Sequence, residues 1–429
     1  MEKFDVIIAG AGLAGLAAAY TLSGNGVEVL VLERGDYPGA KNVTGGRLYV
    51  NPVRDLFPEL WNGEAPLERF ITHEGATLMA RERSVTVDYS GSELRAEPHQ
   101  SYSILRAKFD RWLAEQAEAR GAMLLTKVRV DDVIKEKGGI AGVLAGGDEL
   151  RADVVIACDG VLSLIPEKAG LRSSGLPHDY ALGIKEVIAL DSGIINDRFN
   201  LEGNEGAARL FMGEVTQGRF GGGFLYTNRE SISLGIVIGI QDLLGDGAAM
   251  DVPALLESFK QRSEIAPLIR GGATVEYAAH VIPEGGFRAL SHLYGNGILV
   301  AGDAAGLALN IGFTVRGMEY ALASGYFAAQ TVLKARETGN FSTETLSLYK
   351  RLLEESFVLK DFKNFQETPA VVGNPRFINH YPEMIGDLMR EIYAVPAGPK
   401  NRLYPTIRKH LTLSEMWSEF KDLREVMKI

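Results

Sequence analysis

The chain has 429 residues, 46% of them hydrophobic, and a formal net charge of −10. That length predicts two or three domains with a sizeable core, and an acidic balance without a basic block argues against nucleic-acid binding. The single cysteine, Cys158, excludes an internal disulfide and cannot supply the four ligands of a typical iron–sulfur cluster, and seven scattered histidines show no metal-ligand spacing.

The chain opens with FDVIIAGAGLAGLAAAYTLSGNGVEVLVLE, residues 4–33. Residues 6–9 form a short apolar run, as in a buried parallel strand. Gly10, Gly12 and Gly15 follow at G-x-G-x-x-G spacing around Ala14, and residues 16–22 predict a helix. In such a turn the first glycine permits the tight bend, the second admits a pyrophosphate, and the third lets helix and strand pack closely. A second strand over residues 27–32 ends at Glu33, followed by Arg34, where an acid meets a ribose hydroxyl. Residues 6–27 carry no charge, so a hydropathy window reads them as a membrane span. The glycines at nucleotide spacing argue against that reading. Glu2 and Asp5 stand where a secretory leader is basic, so a cytoplasmic chain is expected.

Further along, Phe109, Trp112, Leu113 and Ala117 repeat at helical spacing within residues 103–120. Arg106, just before that helix, could reach an anionic phosphate. Residues 152–158 predict an apolar strand running into Asp159 and Gly160, with Cys158 a core residue rather than a nucleophile. Residues 175–285 hold strand-like runs, such as 231–240 and 273–280, and predict a β-rich sheet. Within it, GGGFLY at 221–226 puts Phe224 and Tyr226 on one face of a strand. Another strand, 297–301, enters Gly302 and Asp303. An acid at the end of a buried strand sits where ligands collect in parallel sheets. A glycine-bounded turn at 312–317 precedes a helix over 318–333. Near the end, Phe377, Tyr381, Met384, Ile385, Leu388 and Ile392 form a helical stripe. It faces either the core, or a membrane or partner. Residues 400–429 carry a mild basic excess suited to anionic headgroups.

Taken together, Gly10, Gly12 and Gly15, then Asp159 with Gly160, then Gly302 with Asp303 resemble the FAD-binding fold of the para-hydroxybenzoate hydroxylase and geranylgeranyl reductase superfamily. The resemblance implies bound FAD, with Glu33 at the adenosine ribose, Arg106 on the cofactor and Asp303 near the ribityl chain and diphosphate. It also puts the N–H groups of residues 312–317 beside the flavin ring. The segments GAKNVTGGR at 39–47, GGGFLY at 221–226, AGDAAG at 301–306 and GFTVRGM at 312–318 look like electron-transfer flavoprotein:quinone oxidoreductases of the FixC type. That likeness runs from residue 3 to at least residue 390. It adds Ala14, Arg34, Gly45, Gly46, Arg47, Gly160, Gly302, Gly312, Phe313 and Val315 as cofactor contacts. Gly223, Phe224, Tyr226 and Phe313 become the implied quinone pocket, with the chemistry centred on the flavin rather than on a catalytic side chain.

The implied fold is α/β: a Rossmann-like FAD-binding domain (1–75, 100–172 and 286–336), an inserted β-rich quinone domain (76–99 and 173–285) and a helical C-terminal region (337–429). The implied activity takes electrons from the alpha and beta subunits of an electron-transfer flavoprotein to menaquinone or ubiquinone. Single-chain relatives carry a cysteine-bound 4Fe–4S cluster, so here a separate ferredoxin-like 4Fe–4S subunit is expected. Some such complexes bifurcate electrons. The implied location is the cytoplasmic side of the cell membrane, peripherally attached. A geranylgeranyl-type prenyl reductase is the alternative, although its Trp-x-Phe-Pro-like segment corresponds here to residues 223–226, GFLY. An aromatic hydroxylase and a non-catalytic FAD scaffold rank behind both.

Overall fold

The computed structural model describes residues 3–41, 46–172, 175–245, 250–409 and 413–427. Five strands run parallel in its first sheet, in the spatial order Ile298–Val300, Asp148–Ala157, Lys3–Ala9, Val29–Glu33 and Met123–Thr126. Val6, Ile7, Ile8, Leu30, Val31, Val155 and Ile156 are all buried. Their apolar runs are continuous rather than alternating because both faces of a parallel sheet are covered. A hairpin of Val130–Glu136 and Gly139–Ala145 adds to the start of Asp148–Ala157 in antiparallel fashion.

Helix Leu13–Ser23 crosses from the first strand to the second, and all eleven of its residues are buried. It needs no polar face, since helices Arg106–Ala119 and Met318–Thr338 pack against it. Gly325 makes the second contact close: a Cβ there would lie 2.1 Å from Ala14 O. The apolar opening is thus a buried strand and an interior helix. Among the described residues no helix is long and apolar enough to cross a membrane. The helix starts at Leu13 rather than residue 16 because Gly12 already serves as its extended N-cap. Gly15 therefore lies within the first turn, where a Cβ would meet Gly10 O at 2.0 Å.

The second sheet has nine strands. Across it lie Ala273–Pro283, Tyr180–Ala189, Ser231–Gly239, Gly221–Thr227, Glu205–Gly213, Leu67–Met79, Ser101–Ile104 and Arg47–Tyr49, with Ser84–Ser90 also on Leu67–Met79. Every pairing is antiparallel except that of Glu205–Gly213 with Leu67–Met79. Helices Ser192–Phe199 and Val252–Gln261 cover one face, packing Ile195, Phe199, Leu256 and Phe259 onto Leu225, Leu234 and Ile236. The expected division at residue 76 falls inside the Leu67–Met79 strand, and Arg47–Tyr49 and Ser101–Ile104 also pair in this sheet. Local hydrophobic pattern announces a strand but not the ladder that it joins.

After Met318–Thr338 the chain returns to the first sheet, where the Tyr349 hydroxyl donates to Val300 O at 3.0 Å. Helix Pro375–Tyr393 lies on the second sheet against Leu67–Met79, Ser84–Ser90 and Glu205–Gly213. Its buried line is Ile378, Pro382 and Gly386. The expected stripe of Phe377, Tyr381, Met384, Ile385, Leu388 and Ile392 is half-buried instead. The small residue Gly386 lets the helix approach along its own line, with Arg83 and Ala80 directly beneath. Asp422, in helix Leu413–Val426, accepts from Arg376 Nε at 2.5 Å and from the Tyr381 hydroxyl at 2.7 Å.

Candidate functional site

Parallel pairing makes the ends of four strands, at Ala9, Glu33, Ala157 and Val300, share one edge of the sheet. The segments that follow them line a cleft of about 1650 Å³, part of it open to solvent.

Gly10 has φ +104°, and a Cβ on it would lie 2.3 Å from Cys158 O, so only glycine lets these two strand ends cross so closely. Beyond it, the first-turn N–H groups of Leu13–Ser23 have no acceptor within the helix and suit an anion. Glu33 is buried and accepts the Ala11 N–H at 2.9 Å and the Gly35 N–H at 2.6 Å. Its carboxylate is thereby pinned beside the glycine turn.

Asp159 Oδ2 accepts the Ile165 N–H at 2.9 Å, whereas its buried Oδ1 has no partner. Burial pushes the Asp159 carboxyl up to about 6. Asp303 is likewise raised by burial, with the Arg106 charge working against the shift. Arg106 proves to be the first residue of helix Arg106–Ala119 rather than a residue before it. Its Nε and one terminal nitrogen donate to the Asp110 carboxylate at 2.7 and 2.8 Å, which fixes the guanidinium. Burial lowers His280, and the Arg106 and Arg34 charges lower it further, so its ring is neutral near pH 7. Asp159, Asp303, Arg106 and Glu284 keep some accessible surface, and all four line the cleft.

Of the residues singled out in the sequence, Gly10, Gly12, Ala14, Glu33, Arg34, Arg47, Arg106, Asp159, Gly160, Gly302, Asp303 and Val315 border this cleft. Gly15 lies behind it in the strand–helix contact. Gly46 packs on Tyr226, where a Cβ would meet Cδ2 at 2.3 Å, and Gly45 lies outside the described residues. Gly312, at φ +85°, has its N–H donated to Asn310 Oδ1 at 2.9 Å rather than free for a ligand. Phe313, at the tip of that turn, is 77% exposed.

The aromatic pair Phe224 and Tyr226 stacks with ring centroids 5.5 Å apart, in a small cluster with Ile71 and Ala208. Gly223 faces the other side of the sheet, where a Cβ would lie 2.8 Å from Phe259 Cζ. Arg47 reaches Glu74 with both terminal nitrogens and donates from Nε to Ser101 Oγ at 3.2 Å. The cleft also takes in Lys41, Arg129, His280 and Glu284, which the sequence did not single out. For Glu284 a signal existed in the strand-ending run PEGG at 283–286.

These residues fit a dinucleotide with a polyhydroxyl chain. The glycine turn and helix N-terminus suit its diphosphate, Glu33 a ribose, and the unpartnered Asp159 Oδ1 and the Asp303 carboxyl suit hydroxyl donors. Cys158 is buried with its thiol pushed up by that burial, which leaves it neutral core.

Comparison with known proteins bears on the same site. An FAD binding domain family matches residues 3–195. The chain is 46% identical over 409 residues to the probable electron transfer flavoprotein-quinone oxidoreductase YdiS of Escherichia coli strain K12, covering 95% of each chain. It is 46% identical to protein FixC of the same strain, again over 95% of both. With protein FixC of Azorhizobium caulinodans it shares 39% identity over 406 residues, 93% of this chain and 92% of the relative. Among solved structures, a geranylgeranyl bacteriochlorophyll reductase-like protein from Thermoplasma acidophilum has the same fold, with a TM-score of 0.74 at 20% identity over 99% of this chain and 100% of its own. The chain is an FAD-dependent oxidoreductase of electron transfer and belongs to the FixC and electron-transfer flavoprotein:quinone oxidoreductase family.

Proposed function

We propose that this protein accepts electrons originating in an electron-transfer flavoprotein and passes them to a membrane quinone, menaquinone or ubiquinone. The observation that carries this reading is the near full-length likeness to a relative named for that reaction. Its companions are the alpha and beta subunits of the flavoprotein and a separate ferredoxin-like 4Fe–4S protein. In a bifurcating assembly this chain serves the quinone branch.

FAD, when bound, supplies a centre able to exchange electrons singly with a carrier and in pairs with a quinone. The chain's own residues hold and shield it. Gly10, Gly12 and the first turn of Leu13–Ser23 receive the diphosphate, Glu33 the adenosine ribose, and Asp159 and Asp303 the remaining hydroxyls. Arg106, braced by Asp110, supplies a fixed cation next to Asp303. The family likeness alone supports Gly45, Gly46, Gly312 and Phe313 as further cofactor contacts. The face bearing Phe224 and Tyr226 offers an apolar wall to the quinone ring.

Attachment to the cytoplasmic face of the membrane falls to the C-terminal helices. Tyr393, Val395, Tyr404, Phe420 and Met427 are exposed there, alongside Lys400 and Arg402. The direct test is anaerobic stopped flow: reduce the FAD-loaded protein, add a short-chain quinone and follow reoxidation. Fast quinone-dependent reoxidation is expected. A protein that stays reduced even with its cysteine-rich partner present sinks the reading, and prenyl-chain saturation becomes the activity to assay.

A further inference from the structure

Glu284 belongs to the walls of two cavities. On one side is the cofactor cleft; on the other is a second, solvent-open cavity lined by His178, Tyr180, Asp242 and Pro369. The residue follows directly on strand Ala273–Pro283, and its backbone N–H donates to Asp179 O at 2.7 Å. Among the described residues its carboxyl has one hydrogen bond, from Asn310 Nδ2 at 3.3 Å, and no ion pair. Asn310 in turn accepts the Gly312 N–H, so the carboxyl is linked to the turn beside the cleft.

Other charged or titratable groups surround it. His280, Arg316 and Asp303 share the cleft side. His178, Asp242 and Arg219 share the other cavity, with Asp179 on the adjoining turn. A half-buried acid with no cation to pair is held more cheaply in its neutral form.

We propose that Glu284 is a proton relay, delivering a proton from the second cavity to the electron acceptor in the cofactor cleft. The proposal rests on the quinone reading. A quinone becomes a quinol by taking two electrons and two protons. With the electrons and one proton drawn from the reduced cofactor, the second proton leaves the Glu284 carboxyl. The carboxylate left behind regains a proton from water through the second cavity. Burial pushes Glu284 up to about 7, so both of its forms are populated at working pH.

The test uses the FAD-loaded protein, wild type and Glu284→Gln, with FAD content checked in each. Both are reduced anaerobically and reoxidised with a short-chain quinone and, separately, with ferricenium, a one-electron acceptor that takes no proton. Quinone reoxidation slows about 10²-fold in the variant, and the slowing is specific to the proton-taking acceptor. The wild-type quinone rate falls as pH rises through about 7. Infrared difference spectra, independent of turnover, show a protonated carboxyl band titrating over the same range, absent from Glu284→Gln.

Equal quinone rates in the two proteins overturn the relay and leave quinone reduction standing. So does a flat wild-type pH profile, which still decides the matter if the variant fails to hold FAD. A wild type that does not reduce quinone overturns the functional reading and the relay together.

Discussion

In the parallel sheet, the loops after Ala9, Glu33, Ala157 and Val300 reach one cleft because the strands they follow all end at one edge. Each loop brings its own chemistry from contiguous residues, a glycine turn or an acid after an apolar run. In the nine-stranded sheet the contributing unit is a face, and adjacent residues belong to different sides. Phe224 and Tyr226 share one side, whereas Gly223 packs toward Phe259. Sites made by strand ends tolerate distance in sequence but depend on a few close crossings. A site made by a sheet face depends on register and on what covers the opposite side.

The sharpest way to break the first region is Gly10→Val. It meets both an unfavourable φ of +104° and a backbone oxygen 2.3 Å from the new Cβ. More than about 3 kcal/mol of stability should be lost, and FAD with it. Gly160→Ala, at φ +81° with open space around it, should cost only about 1–2 kcal/mol. Urea unfolding and flavin absorbance compare the two, and equal losses would remove close crossing as the reason for Gly10.

Glu284, where the two regions meet, gives the next largest effect. Its folded carboxyl titrates at about 7 against an ordinary 4.5. Between those values the folded state holds a proton that the unfolded chain has released, so stability falls as pH rises through that window. The total is on the order of 3 kcal/mol. Denaturation midpoints across the window should slope downward in wild type and flatten in Glu284→Gln; parallel curves would contradict this.

Neighbouring substitutions sharpen the second region. Gly223→Ala should cost about 1–2 kcal/mol through its contact with Phe259 and leave the quinone KM alone. Phe224→Ala should raise that KM several-fold. Steady-state kinetics showing the same KM change in both would dissolve the distinction between faces.

Smallest is the salt effect on membrane attachment. Each basic group near an anionic surface contributes about 1 kcal/mol, and salt screens it. Binding to anionic vesicles should therefore weaken at high salt and weaken further in Phe420→Ser. Absence of vesicle binding at low salt would count against the C-terminal anchor.

Much of the cleft is legible in the sequence. Gly10, Gly12, Glu33, Asp159, Gly302 and Asp303 each follow an apolar strand within a few residues, and a parallel sheet gathers such positions by its topology. Arg106 was legible as a residue but not in its role, since its brace by Asp110 appears only once the helix starts at Arg106 itself. Arg129 and His280 carried no local signature.

By itself the sequence determined the strand–glycine–helix unit, the order of the acidic loops and the helical tail, because each is written in contiguous residues whose backbone preferences and periodicity act locally. Only the tertiary structure decided that Arg47–Tyr49 and Ser101–Ile104 join the second sheet, that Gly223 turns away from Phe224's side, and that Glu284 stands between two cavities. Those outcomes depend on strand partners and packing from remote parts of the chain, which no local pattern records.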